Sequence, residues 1–118
     1  MSNRVNKYLF DIKIAIEAID EFVANIDLEG FKQSRLIRSA VERQLEIVGE
    51  SVKRIERTGE PVPIENAKHI IAFRNILVHE YERLEEETVW AIVKKDVPKL
   101  LEEINHLLEN ALPLEFSP

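Results

Sequence analysis

Apolar residues recur at three- and four-residue intervals through most of the chain. Val5, Leu9, Ile12, Ile16, Ile19, Val23 and Ile26 share one stripe, which predicts an amphipathic helix over about residues 3–26. Asp27 to Gly30 interrupts that pattern, and Ile37, Val41, Leu45, Val48, Val52 and Ile55 predict a second helix over about residues 33–57. Within it, Gly49 costs roughly 1 kcal/mol relative to alanine, so a close neighbour is expected there. After a break at Thr58 to Pro63, a third helix should start near Ile64 or Glu65 and run through Ala67, Ile70, Ile71, Leu77 and Val78. A fourth, over about residues 86–95, carries Trp90 and Val93. Asp96 is placed to cap a fifth, with Pro98 in its first turn, and Val97, Leu100, Leu101, Ile104, Leu107, Leu108 and Ala111 form its apolar face up to the stop at Pro113. No segment alternates with period two. The pattern predicts an all-α, up-and-down bundle of four to five antiparallel helices in one domain spanning residues 1–118. Phe10, Ile14, Phe73 and Ile76 lie off the main stripes, more apolar surface than a small monomer buries, and a homodimer is expected.

The composition, 45% hydrophobic and 32% charged with three Gly and five Pro, is that of a globular chain rather than a disordered one. There is no apolar run of about 18 residues and no leader with a small-residue cleavage site, so a cytoplasmic protein with no membrane association is expected. Zero cysteines exclude disulfides, zinc–thiolate sites and thiol nucleophiles. No P-loop or GxGxxG is present, and His69 and His106 lack partners at HExxH spacing. No cofactor and no metal are therefore expected, and surface or core roles suit both histidines.

Charge is unevenly spread beneath the net value of -6. Residues 1–31 carry three bases against six acids, and residues 80–118 carry four against ten. Residues 32–57 reverse this, with seven bases against four acids, so an anionic partner would meet the middle of the chain. Pairs such as Arg38 with Glu42 and Glu50 with Arg54 are the plainer explanation of those charges.

The stretch FRNILVHEYERL, residues 73–84, places polar groups among apolar ones. At about 100° per residue Arg74 lies within about 40° of Ile70 and Val78 and about 20° of Tyr81, on the apolar stripe. A guanidinium there must be paired, reach solvent, or face a cavity or interface. Pairing with Glu46 or Glu50 would make it a register-fixing residue. Asn75 and His79 share a face, whereas His79 stands about 140° from Arg74. Arg74 and His79 can meet only if the helix breaks near His79 or if a second copy supplies the other half.

RNILVHEY fits the Arg, four residues, His, any residue, Tyr pattern of the HEPN superfamily and resembles the HepT-like ribonuclease toxins of prokaryotic toxin-antitoxin pairs. AVERQLEIVGE, residues 40–50, resembles that family's second helix, and VWAIVKKDVPKLLEEI its C-terminal helices, so the likeness covers most of the chain. The resemblance implies an all-α homodimer that cuts RNA, such as tRNA or mRNA, without a metal at an interface cleft. It implies Arg74 and His79 as catalytic residues, Asn75 in support, and Tyr81 as the residue to which a minimal nucleotidyltransferase antitoxin transfers AMP. Arg35, Arg38 and Arg83 are nearby bases that would help hold RNA. A non-catalytic HEPN module that binds a nucleotidyltransferase is the alternative.

Overall fold

A computed structural model describes residues 1–65, 67–79 and 85–110. These residues form helices α1 (Asn3–Val23), α2 (Leu28–Gln33), α3 (Arg35–Arg57), α4 (Ala67–His79), α5 (Glu86–Ala91) and α6 (Val97–Glu109), with a π-helical turn, Ile92–Asp96, between the last two. Among the described residues there is no strand. The predicted end of the last helix at Ala111 and its stop at Pro113 lie outside the described residues.

Helix α1 starts at Ser2, whose hydroxyl accepts the Val5 N–H at 3.2 Å and so satisfies one of the open donors of a helix N-terminus. Its stripe is the centre of the core: Val5, Leu9, Ile12, Ile16 and Ile19 are completely buried. The facing stripe of α3 supplies Val41, Leu45, Val48, Val52 and Ile55, and Gly49 is buried among them. Ser2 also donates from its N–H and hydroxyl to the Glu60 carboxylate, at 2.9 and 2.5 Å. The start of α1 is thereby tied to the chain just beyond the end of α3, so the two helices run antiparallel.

Between α1 and α3 the sequence predicts only an interruption, but the structure holds a short helix. Asp27 caps it, accepting the Gly30 N–H at 2.9 Å, and Phe31 is completely buried, with its ring 5.2 Å from that of Trp90. Six residues with one core side chain give no periodic signal, which is why α2 is invisible to pattern. Ser34 then caps α3 by accepting the Ile37 N–H at 3.1 Å. Of the two ion pairs expected along α3, Glu50 with Arg54 forms at 2.8 Å. Arg38 instead donates to the carbonyls of Phe31 and Lys32 at the end of α2, and not to Glu42.

At the expected boundary, with α6 starting at Val97, the structure holds a π turn in place of the expected Asp96 cap. Asp96 keeps a helical backbone, φ -83° and ψ -38°, and its side chain caps nothing. The helix runs on from Glu86 to Glu109 because one turn is widened, with the Val97 N–H reaching back five residues to the Ile92 carbonyl. In a regular α-helix the Pro98 ring would crowd the carbonyl four residues back. The wider turn accommodates it, and the predicted fourth and fifth helices become one continuous helical run.

Candidate functional site

Three of the residues singled out by sequence, Arg74, Asn75 and His79, lie on α4, which follows a defined loop. Gly59, at φ 77°, takes the left-handed conformation that ends α3, and its N–H returns to the Glu56 carbonyl at 3.2 Å. The Thr58 hydroxyl donates to the Ile55 carbonyl at 2.7 Å and accepts the Glu60 N–H. Pro61 and Pro63 each centre a tight turn, the Val62 N–H returning to the Glu60 carbonyl at 3.0 Å and the Ile64 N–H to the Val62 carbonyl at 2.9 Å; Ile64 is buried, and α4 begins at Ala67. Helix α4 packs on α3, and α6 packs on α1.

Arg74, Asn75 and His79 all lie on α4, with His79 its last helical residue. The helix is continuous from Arg74 to His79, so their backbone positions differ by about 140° around its axis. Asn75 is exposed. The side chains of Arg74 and His79, together with Tyr81 and Arg83, lie outside what the structure describes, as does a pairing of Arg74 with Glu46 or Glu50. Of the other basic candidates, Arg35 is exposed in the first turn of α3. Arg38 is half-buried and committed to the end of α2, a structural use that its sequence position did not reveal. Because α4 folds back along α3 after a short loop, its His79 end points toward the arginine-bearing first half of α3.

Beside α4 lies a feature that sequence reasoning missed. A cavity of about 510 Å³ separates α4 from α6, floored by Leu45 and Val48 of α3 and walled by Ile70, Phe73, Val97 and Leu100. His69 and His106, both exposed, line it, so of the surface or core roles expected for them the structure gives the surface one. They are far apart in sequence, and no local motif joins them. One end of the seam is pinned where the Glu65 N–H donates to the Glu103 carboxylate at 2.7 Å. Among the described residues no helix is long and apolar enough to cross a membrane.

Comparison with known proteins converges on one family. The chain is 39% identical over 106 residues to a Methanocaldococcus jannaschii protein named "Putative RNase MJ1380", covering 88% of this chain and 97% of that protein. It is 36% identical over 97 residues to "Probable ribonuclease HepT" of Thermococcus cleftensis, covering 79% and 86% respectively. A Caldanaerobacter subterraneus protein, "Putative RNase TTE0752", is 30% identical over 106 residues, covering 86% of this chain and 92% of its own. No solved structure gives a significant match. Residues 12–107, reaching from the middle of α1 to the end of α6, match the family described as Ribonuclease HepT-like, and the chain belongs to that HEPN ribonuclease family.

Proposed function

We propose that this protein is a metal-independent endoribonuclease, the toxin of a prokaryotic toxin-antitoxin pair, acting as a homodimer with Arg74 and His79 at the interface cleft. Membership of a ribonuclease family carries this reading. The unbroken helix supports its composite form: two groups about 140° apart on one helix serve one phosphate best when a second copy supplies the complement. Phe10 and Ile14, 45% and 51% exposed on α1, and half-buried Ile76 on α4 offer apolar surface for such a copy.

The chemistry follows from the residue types. One His79 imidazole takes the proton of the RNA 2′-hydroxyl, and the oxygen attacks the adjacent phosphorus. The P–O5′ bond breaks as the second His79 returns a proton to the leaving oxygen, giving a 2′,3′-cyclic phosphate and a 5′-hydroxyl. An imidazole suits both tasks because its unperturbed pKa of about 6.5 populates either form near neutrality. Arg74 neutralises the non-bridging oxygens through its planar fork, and Asn75 orients the imidazole or the phosphate. A nucleotidyltransferase antitoxin would silence the site by moving AMP from ATP onto the Tyr81 oxygen, with release of pyrophosphate. The added bulk and negative charge would then repel RNA.

Purified, unmodified protein should cut tRNA or mRNA in EDTA and leave cyclic-phosphate ends. His79→Ala should lower the rate at least about 100-fold with the helical circular-dichroism spectrum unchanged. Intact RNA after incubation with unmodified wild-type dimer would overturn the proposal and leave the binding-module alternative.

A further inference from the structure

A four-helix bundle has four seams between neighbouring helices. Here α1 packs on α3, α3 on α4 and α6 on α1, while the fourth seam, between α4 and α6, holds the cavity of about 510 Å³. Its lining is mostly apolar, and the π turn contributes to one wall by bringing Ile92 and Asp96 to it beside Val97. An open apolar seam of this kind is the shape that receives an amphipathic helix laid along it.

The rim selects among occupants. Among the described lining residues, Glu65, Asp96, Glu102 and Glu103 stand against one cation, Lys99. A phosphodiester chain would meet four carboxylates there, so the seam repels RNA. A polypeptide helix with leucine-like side chains on one face and lysine or arginine along its flanks matches both floor and rim. We infer that the α4–α6 seam is a docking groove for a basic amphipathic helix of a partner polypeptide. The inference stands apart from the nuclease reading, since none of its residues serves the proposed cleavage. Yet a helix in the seam would lie against α4, the helix that carries Arg74 and His79, so binding there would reach the cleft through a shared wall.

The probe is a fluorescein-labelled, 18-residue synthetic helix, on the order of 27 Å long, with leucine on one face and lysine on its flanks. Its counterpart carries glutamate in place of lysine. Fluorescence anisotropy with the full chain should show the basic peptide binding at least about tenfold more tightly than the acidic one, a difference near 1.4 kcal/mol. Glu65→Lys combined with Glu102→Lys, both at exposed positions, should remove that preference. His69→Trp, which places a large ring at the mouth, should weaken the basic peptide about tenfold. Equal binding of the two peptides, binding indifferent to all three substitutions, or displacement of the peptide by single-stranded RNA would overturn the inference. So would protection from alkylation of a cysteine introduced by Glu102→Cys in the chain alone, since a second copy would then already fill the seam. The readout is peptide binding, so its result and that of the cleavage assay fail independently.

Discussion

Helices α1 and α4 have similar apolar content and opposite fates. Helix α1 touches both α3 and α6, and its stripe from Val5 to Ile19 is sealed. Helix α4 brings Ile70, Ile71, Phe73 and Ile76, yet among its described side chains none is fully buried, because it leans on α3 with an open seam on its other side. Burial is therefore decided by the number of neighbours, and the sequence of a helix alone does not reveal it. The helix whose described side chains stay short of full burial is also the one that carries the proposed catalytic pair, Arg74 and His79. Such placement fits a general pattern in which binding and catalytic elements are drawn from the less stable parts of a fold.

Truncating one residue on each helix separates the two most strongly. Ile12→Ala should cost about 2–5 kcal/mol in a denaturant titration, because a sealed site leaves a cavity. Ile70→Ala, at a half-buried position beside the open seam, should cost less than half as much; equal losses would mean that α4 is as well packed as α1. Next in size, Ser34→Ala should cost about 1 kcal/mol, since α3 loses the hydroxyl that holds the Ile37 N–H and α3 supports both helices.

Smaller effects come from two glutamates with opposite shifts. Burial, reinforced by Glu46 and Glu86 and partly offset by Arg38, holds the Glu42 carboxyl above its usual range. A folded pKa above the unfolded one means that stability falls as pH rises from the ordinary glutamate range through the raised value. Glu42→Gln should thus raise the Tm at neutral pH, and the gain should vanish in acid, where the wild-type carboxyl is already protonated. Glu60 behaves in the reverse sense: the Ser2 hydrogen bonds pull its carboxyl below the usual range. Its contribution is present above that range and lost as pH falls through the depressed value, so Glu60→Gln should lower the Tm slightly at neutral pH and leave it unchanged in strong acid. Thermal melts across pH distinguish the two signs.

What sequence made legible follows the same division. The three- and four-residue spacing located α1, α3 and α4 to within a few residues, because long stripes must face a core. The first helix stops at Val23 rather than Ile26, where the chain turns toward the Asp27 cap. Helix α2 leaves no trace because one phenylalanine makes no period; the boundary at Asp96 is where the pattern puts it, but the π turn that replaces the expected cap has no compositional signature. At the site, the separation of Arg74 and His79 followed from helix geometry alone, and the family was legible from RNILVHEY and its flanks. The seam was not, since it is made by residues from three helices whose mutual placement no local pattern encodes.

The π turn has one more consequence. Helix α5 meshes with α2 through Trp90 and Phe31, while α6 meshes with α1 through its own buried stripe, including Leu100 and Ile104. These two engagements need different rotational phases of one rod, and the additional residue in the widened turn supplies the offset. Deleting solvent-exposed Lys95 would therefore disturb far more than the loss of a surface lysine: like a gear shaft recut by one tooth, it would leave only one of the two ends in mesh.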